Sequence, residues 1–429
     1  MTEAKLLYIV IDGLGDLPIP ELGNKTPLEA AETPNLDKLT GKGRLGLMYT
    51  VGKGIAPESD VAVISILGYD PERFYTGRGP LEAFGAGMNV NKGDLALRCN
   101  FATIDSNKKI LDRRVGRDLT TPEARELSKS INSEIKLETT DSRFEFKSTI
   151  GHRGVLVIRK IGGVLSGDIT NTDPAYIRKG KFGVAEATSE REAYLTESKP
   201  MNESPEAEIA AELVNEFTGK TCDLLEKHPV NAKRQSSGKM KANTILSRDA
   251  GNQLPNLPNI SQNFGINFAS LVEMPVEKGI AVIAGMKPIE IPPPSGDLSV
   301  DSQLKAKKLL ENLQNYDAFY IHIKGPDEPA HDGNFTSKKK SIEVIDTEFL
   351  GKLIGTLDPD KMLICITADH ATPCKIKSHS DDPVPVLVVG RSIKGDGLKK
   401  FCERECAKGS LGVIPKGSDL MPMLISMLK

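Results

Sequence analysis

Short apolar segments recur along the chain, separated by longer stretches in which polar and apolar residues mix. The segments with the length and composition of β-strands are 5–11, 154–159, 279–285, 316–323, 361–367 and 384–390. All but the second are almost continuously apolar, which is typical of strands that are covered on both faces. The pattern therefore predicts a mostly parallel sheet sandwiched by helices.

Helical periodicity appears between these segments. After residue 336, four apolar side chains are spaced to share one helical face: Ile342, Ile345, Phe349 and Leu353. Thr336 or Ser337 is expected to cap the start of this helix. Alternation of strand and helix indicates an α/β fold.

The middle of the chain has a different character. It is richer in charge and mixes short strands with helical patterns such as 204–219. We therefore predict a discontinuous core domain, 1–89 with 261–429, and a smaller inserted α+β domain, 90–260. The proline-rich segment 289–297 is predicted to be a loop.

Composition limits the classes of function. The 429 residues are 27% charged and 39% hydrophobic, with a formal net charge of -2, as is typical of a soluble globular protein. This charge does not favour a nucleic-acid or membrane-surface partner. The N-terminal segment is predicted to be a strand instead of a signal peptide, and no apolar run approaches the roughly 20 residues of a membrane span. We expect a cytoplasmic protein.

The cysteines do not suggest a disulfide framework, because they are scattered through a large chain: Cys99, Cys222, Cys365, Cys374, Cys402 and Cys406. Cys402 and Cys406 have a spacing that zinc sites use, but no second close pair accompanies them. Reduced thiols are expected.

Aspartate and histidine residues lie at the ends of several predicted strands: Asp12, Asp327, His331, Asp369, His370 and, just before the last strand, His379. Ligands of open α/β sheets bind beyond the carboxyl ends of strands. Carboxylate and imidazole groups suit Mn²⁺, Zn²⁺ or Mg²⁺. Six such groups are too many for one tetrahedral ion and enough for two.

Each of these residues alone has an ordinary explanation. An aspartate after a strand commonly caps a helix or forms a turn, and the spacing from Asp327 to His331 also fits one face of a helix. His322 lies inside an apolar strand and is taken as structural. The joint pattern, with Asp and His together at strand ends, predicts the metal site.

A glycine- and proline-containing loop leads into Ser59 and Asp60 at the start of an apolar helical segment. Free backbone N–H groups at a helix N-terminus favour an anion. Simple N-capping by Ser59 is the alternative. Next to two metal ions, however, a serine hydroxyl is suited to act as a nucleophile.

Several segments resemble those of the archaeal-type cofactor-independent phosphoglycerate mutases, within the alkaline phosphatase superfamily. They are IVIDGLGD, GNKTPLEAAETPNLDKLTGKGRLG, PESDVAVISILGYDP, YTGRGPLEAFGAG, RCNFAT, KGPDEPAHDG, TADHATPC and SHSDDPVPV. The resemblance covers most of the chain. It implies an alkaline-phosphatase-like core with an inserted cap domain. It also implies two divalent ions, commonly Mn²⁺ with Mg²⁺, Zn²⁺ or Co²⁺ as alternatives, and no requirement for 2,3-bisphosphoglycerate.

The resemblance also implies roles for the residues at the strand ends. One metal would be held by Asp327, His331 and His379, and the other by Asp12, Asp369, His370 and the Ser59 oxygen. Ser59 would attack the phosphate of 3-phosphoglycerate and become phosphoserine. The glycerate would then reorient and retake the phosphoryl group as 2-phosphoglycerate, a step of glycolysis and gluconeogenesis. The partner is a small-molecule phosphoglycerate, and the sequence leaves a homo-oligomer open.

Substrate binding needs cations that face the carboxylate and phosphate groups. The candidates lie near glycines or within motif-like stretches: Arg78, Arg114, Arg117, His152, Arg153, Arg248 and Lys324. Asp118 is a candidate for orienting the glycerate hydroxyls or moving a proton.

Two other functions are consistent with the sequence. A related phosphomonoester hydrolase or another phosphomutase of the alkaline phosphatase superfamily would use the same metals and nucleophile. A non-catalytic metal-binding protein would keep the ligands for structural reasons, with Ser59 as a cap alone.

Overall fold

A computed structural model describes residues 5–179, 184–187, 193–356, 358, 361–390 and 393–428. The chain separates into two compact units, one formed by residues up to 75 and from 256 onward, and the other by residues 76–255. The helix Arg78–Gly85 packs against the strand Leu95–Ile104 in the second unit. The domain range drawn from the sequence had this helix in the first domain.

The strands of the described residues, in chain order, are β1 (Lys5–Ile11), β2 (Arg44–Met48), β3 (Leu95–Ile104), β4 (Ile110–Asp112), β5 (Ser142–Ser148), β6 (Arg153–Lys160), β7 (Tyr176–Lys179), β8 (Val184–Ala187), β9 (Thr244–Gly251), β10 (Phe268–Leu271), β11 (Lys287–Pro288), β12 (Ala318–Ile323), β13 (Met362–Thr367), β14 (Val384–Val389) and β15 (Gly412–Ile414).

The α-helices of the described residues are Pro27–Ala30, Pro34–Thr40, Ser59–Ile66, Pro71–Phe74, Arg78–Gly85, Thr121–Glu134, Pro205–Glu226, Pro229–Ser236, Ile260–Phe264, Pro275–Ile283, Leu298–Asn312, Asp327–His331, Phe335–Val344, Gly351–Leu353, Glu403–Cys406 and Leu420–Leu428. A π-helical turn, Ile345–Leu350, joins Phe335–Val344 to Gly351–Leu353. Short 3₁₀ turns are Pro20–Leu22, Val115–Arg117 and Gly417–Asp419.

The first unit is built on one sheet with the strand order β11-β10-β12-β1-β13-β14-β2-β15. Every neighbouring pair is parallel except those that involve β14, which runs antiparallel to both β13 and β2. All residues of β12 and β13 are buried, as their continuous apolar sequences require. The prediction of an α/β fold with a mostly parallel sheet is confirmed.

The second unit contains an antiparallel sheet in the order β4-β3-β6-β5, with β9 paired to β3. Helices Thr121–Glu134 and Pro205–Glu226 contribute Leu127 and Phe217 to its apolar core, which also contains Phe101 and Phe146 from the sheet. This unit is therefore of the α+β type.

Two local predictions are wrong. Residues 279–285 do not form a strand, because Pro275–Ile283 is a helix with proline in its first turn, and a short apolar run does not by itself distinguish a strand from a buried helix. The helix after residue 334 is capped by the Asn334 side chain, which accepts from Ser337 N–H, and not by Thr336 or Ser337.

Two further predictions, the apolar helical stripe and the free thiols, agree with the structure. The apolar stripe of the same helical stretch is buried at Ile342, Ile345, Phe349 and Leu353. The cysteines are free thiols, and Cys402 and Cys406 are both buried. Among the residues that the structure describes, every helix is too short or too polar to span a lipid bilayer.

Candidate active site

Three neighbouring parallel strands of the first unit, β12, β1 and β13, end at the same edge of the sheet. Asp12 directly follows β1, and Asp369 follows β13 after one residue. Gly13, at φ +61°, donates its N–H to Asp369 Oδ1 at 3.1 Å. A Cβ at Gly13 would lie 2.7 Å from the Cβ of Asp327, so glycine is needed here both for the backbone conformation and for space.

The side chains at this edge form two groups of metal-ligand type. In each group, one ligand atom of every residue lies within 4.8 Å of the others, and the groups are Asp12, Asp369 and His370, and Asp327, His370 and His379. His331 adjoins the second group, with its Nε2 3.4 Å from Asp327 Oδ2. The aspartates and histidines predicted from the strand ends are thus brought together.

His370 lies at the centre of this arrangement and is buried. Its Nε2 is 3.3 Å from Asp12 Oδ1, 3.3 Å from Asp369 Oδ2 and 3.2 Å from Ser59 Oγ. Its ring stacks on that of His379, with the ring centroids 3.7 Å apart. Two carboxylates and one hydroxyl therefore converge on a single imidazole nitrogen.

Ser59 is the first residue of the helix Ser59–Ile66. Glu58 occupies the N-cap position, so the Ser59 hydroxyl is not the cap of this helix. Ser59 is only 8% exposed. The hydroxyl thus lies at a helix N-terminus, where an anion is favoured, and beside the imidazole of His370.

Two of the imidazoles are held through Nδ1 by backbone carbonyls. His331 Nδ1 is 3.0 Å from Lys377 O, and His379 Nδ1 is 2.8 Å from Pro57 O. Because a carbonyl only accepts, Nδ1 is the donor and the Nε2 atom of the neutral ring keeps its lone pair. Both Nε2 atoms face Asp327, at 3.4 and 3.6 Å. This is how metal-binding imidazoles are usually oriented.

Asp12 and Asp369, the carboxylates of the first group, also suit a cation. Burial and the neighbouring Asp12 charge raise the pKa of Asp369 well above its usual range. Burial is the largest influence on Asp12 and opposes its ionisation as well, but the Lys324 ammonium and the His370 imidazole together hold the pKa of Asp12 low. Asp12 Oδ1 and Asp369 Oδ2 are buried without hydrogen-bond partners. Unpaired buried carboxylate oxygens are costly, and a divalent cation would remove that cost.

Lys324 is part of this charged cluster. Its Nζ lies 2.9 Å from Asp12 Oδ2 and 2.6 Å from Glu277 Oε1. Burial disfavours the ammonium, yet the Asp12 and Glu277 charges raise the pKa of Lys324 above its ordinary value. Lys324 is therefore a fixed positive charge beside Asp12, held by Glu277.

The second unit carries a separate positive cluster. Glu82 Oε2 lies 3.2 Å from Arg78 Nε and 3.4 Å from Arg98 Nε. Burial and the nearby Arg248 and Arg78 charges lower the pKa of Arg98 to about 10. Arg248 Nε lies 3.5 Å from Asp249 Oδ2, so two carboxylates accompany three guanidinium groups, and this concentration of positive charge is suited to an anion.

His152 lies in the same field of positive charge. Burial lowers its pKa to about 3, with the guanidinium charges acting in the same direction: Arg153, Arg114, Arg98 and Arg117. A cavity of about 420 Å³ in this unit is lined in part by Arg113, Arg114 and Arg117. The arginines predicted from sequence around His152 thus share one positive region of the second unit.

The backbone beside these arginines takes uncommon conformations. Val115 and Arg117 have φ of 53° and 57°, and Asp249, which follows Arg248, has φ of 58°. Positive φ is costly for residues other than glycine, above all for a β-branched one, and such strain is concentrated at functional sites. Asp118, in contrast, pairs with the buried guanidinium of Arg234, and that pairing engages its carboxylate.

Comparisons with known proteins agree with this geometry. Residues 41–231 match the family model described as 2,3-bisphosphoglycerate-independent phosphoglycerate mutase. The enzyme of that name from Aeropyrum pernix is 44% identical over 429 residues, covering 99% of each chain. The chain belongs to the 2,3-bisphosphoglycerate-independent phosphoglycerate mutases.

Three further proteins, two of them named as phosphoglycerate mutases, are similar over nearly the whole length. The relative of the same name from Methanopyrus kandleri is 40% identical, over 96% of this chain and 93% of its own. The solved cofactor-independent phosphoglycerate mutase from Thermoplasma acidophilum is 30% identical with a TM-score of 0.60, covering 99% of this chain and 100% of its own. A solved protein from Pyrococcus horikoshii is 33% identical with a TM-score of 0.78, covering 100% and 98%.

Some polar residues near the mutase-family motifs were not singled out from the sequence. Glu277 lies on the helix Pro275–Ile283, part of which was predicted to be a strand. Its place in the charged cluster becomes visible only through its ion pair with Lys324. Arg98 lies within RCNFAT, so the motif carried a signal, and Glu82 lies within YTGRGPLEAFGAG. His322 was taken as structural. It is buried, bonds Tyr320 through Nδ1, and has its Nε2 3.6 Å from Asp369 Oδ2.

Proposed function

We propose that this protein interconverts 3-phosphoglycerate and 2-phosphoglycerate without 2,3-bisphosphoglycerate, with Ser59 as the nucleophile beside two divalent cations. The observation that carries the proposal is the position of Ser59 Oγ. It lies 3.2 Å from His370 Nε2, and His370 forms a buried group of metal-ligand type with Asp12 and Asp369. A helix-capping serine would bond its own helix, and the cap of this helix is Glu58.

The residues fit a pair of cations. One would be held by Asp327, His331 and His379, and the other by Asp12, Asp369, His370 and the Ser59 oxygen. Carboxylate and neutral imidazole donors suit Mn²⁺, which we propose as the ion, and they also accept Mg²⁺, Zn²⁺ or Co²⁺. When bound, such cations neutralise phosphate charge and lower the pKa of a hydroxyl.

The chain itself supplies the nucleophile and its placement. Ser59 Oγ attacks the phosphorus of 3-phosphoglycerate, and the bond between that phosphorus and the 3-oxygen of the glycerate breaks. The proton lost by Ser59 passes to the glycerate oxygen that leaves. The other hydroxyl of the glycerate then attacks phosphoserine, which restores Ser59. The N-terminus of the Ser59–Ile66 helix favours the phosphate charge. Phosphoryl transfer needs this positioning and charge stabilisation above all.

We further propose that the second unit is the substrate-binding domain. The positive region around His152 is suited to the carboxylate and phosphate of phosphoglycerate, and its proposed members are Arg78, Arg114, Arg117, His152, Arg153 and Arg248, with Arg98 added. Guanidinium groups match these oxyanions in shape and charge. Lys324 is proposed to balance negative charge next to Ser59, and Asp118 to be held by Arg234 for contact with glycerate hydroxyls.

The test is an assay of the purified protein with Mn²⁺ and 3-phosphoglycerate, in which ³¹P NMR follows 2-phosphoglycerate and free phosphate together. We expect 2-phosphoglycerate with almost no free phosphate. Free phosphate as the main product would instead identify a related hydrolase. Ser59→Ala should abolish turnover, and Ser65→Ala, which alters a buried serine of the same helix, should keep it. A Ser59→Ala protein with undiminished turnover would rule out the nucleophile.

A further inference from the structure

The hydroxyl of Thr372 lies between the two groups of metal-ligand type. Thr372 is fully buried. Its Oγ1 donates to Asp327 Oδ1 at 2.7 Å and lies 3.0 Å from His370 Nδ1. Asp327 belongs to one group, and His370 is shared by both. One hydroxyl therefore touches ligand-type side chains on both sides of the site.

The single proton of this hydroxyl fixes the state of the His370 ring. Because the Thr372 proton is given to the Asp327 carboxylate, which only accepts, Oγ1 must accept from His370 Nδ1–H. The neutral ring then carries its lone pair on Nε2, the atom that faces Ser59, Asp12 and Asp369. In His331 and His379 a backbone carbonyl keeps the ring proton on Nδ1, whereas in His370 a side-chain hydroxyl keeps it there.

The backbone of Thr372 is held firmly. Its N–H donates to Gly15 O at 3.0 Å, and its carbonyl accepts from Lys338 Nζ at 2.9 Å. Lys338 Nζ also donates to Gly15 O and pairs with Asp16, each at 2.9 Å. The loop after β13 is thus tied to the loop after β1, and the Thr372 hydroxyl is held in place for its two contacts.

We propose that Thr372 is a positioning residue that sets Asp327 and His370 together, so that both proposed cation sites depend on one hydroxyl. The inference rests on the cation pair of the proposed function. Groups that orient metal ligands in this way typically change metal affinity by about 10–100-fold when they are lost. Loss of this hydroxyl would free one oxygen of Asp327 and let the His370 ring change its tautomer.

The test compares Thr372→Ser with Thr372→Ala, since both variants lack the methyl group and only the second lacks the hydroxyl. Binding of Mn²⁺ to the metal-free protein is measured by calorimetry and by the loss of the free Mn²⁺ signal in electron paramagnetic resonance. We expect Thr372→Ser to bind two ions within about threefold of the wild type. We expect Thr372→Ala to bind both ions about 10–100-fold more weakly.

Thr40→Val is the matched control, because it removes another buried threonine hydroxyl, one that bonds the Leu36 carbonyl. It should leave Mn²⁺ binding unchanged. Thr372→Val, which keeps the side-chain volume, provides a second deletion of the hydroxyl if the Ala variant folds poorly. Unchanged affinity in the hydroxyl-deleted variants, or weakening of one ion alone, would overturn the role. A wild-type protein that binds no Mn²⁺ would overturn the cation pair itself, and this role with it.

Discussion

Ser59 Oγ and His370 Nε2 lie 3.2 Å apart, although their residues are separated by 311 positions in the chain. One side chain begins a helix and the other follows β13, so the fold brings a helix N-terminus to the carboxyl edge of the parallel sheet. This contact places the Ser59 hydroxyl beside the group formed by Asp12, Asp369 and His370. The proposed chemistry follows from it.

Removal of divalent cations should silence the enzyme and leave it folded. The proposed ligands follow the ends of strands, whereas the core consists of apolar strands such as β12 and β13. We expect dialysis against EDTA to lower mutase turnover by at least about 100-fold, with an unchanged far-UV circular dichroism spectrum and recovery on adding Mn²⁺. Unfolding on chelation would instead support a purely structural metal site.

Lys338 is predicted to be important for stability. Its buried ammonium has three partners at 2.9 Å: Gly15 O, Asp16 Oδ2 and Thr372 O. Lys338→Met would remove the cationic partner of the buried Asp16 carboxylate and leave it with N–H bonds from Leu17 and Cys374, so we expect the free energy of unfolding to fall by about 3–5 kcal/mol.

The control for this prediction is Lys340→Met. Lys340 is 72% exposed and lies 3.8 Å from Glu343, so its loss should change stability by less than about 1 kcal/mol. Urea denaturation of both variants measures the difference. Equal effects of the two substitutions would contradict the importance assigned to the buried pair.

Glu403 should make stability depend on pH. Burial raises the pKa of Glu403 to about 7 from a usual 4.5, against hydrogen bonds from Thr26 and the Asp16 N–H. The folded protein therefore binds this proton more tightly than the unfolded chain. Stability from this group is greatest below pH 4.5 and is lost as the pH rises to about 7.

Glu403→Gln removes this titration. We expect the melting temperature of the variant, relative to the wild type, to rise between pH 5 and pH 7 and to level off above pH 7. Glu21→Gln, at an exposed glutamate, should show no such trend. The quantity to follow is the melting temperature of Glu403→Gln minus that of the wild type. A value that stays constant between pH 5 and pH 7, or that decreases as the pH rises, would be inconsistent with the raised pKa.

Much of the fold and of the candidate site was predictable from the sequence. Strands β1, β12 and β13 are continuous apolar runs, and parallel strands bring their carboxyl ends to one edge, so Asp12, Asp369 and their neighbours were predictable. Residues 279–285 were not, because a short apolar run fits a helix or a strand equally.

The residues that orient the site were harder to find. The Thr372 hydroxyl bonds Asp327 as well as its chain neighbour His370, and Glu277 bonds Lys324, so each role depends on a contact to a residue distant in the chain. No spacing rule reports such contacts, and a buried threonine or glutamate looks ordinary in sequence. The cap at Asn334 was missed for a similar reason, since several neighbouring residues have equal capping propensity.

The central claim is that the Ser59 oxygen receives the phosphoryl group. It is tested most directly by mixing the Mn²⁺-loaded enzyme with ³²P-labelled 3-phosphoglycerate, quenching in acid within milliseconds, and mapping the label by mass spectrometry of peptides. The account predicts phosphoserine at residue 59, lost on a chase with unlabelled substrate and absent in Ser59→Ala. Turnover without any phosphorylated peptide, or with the label at another residue, would contradict it.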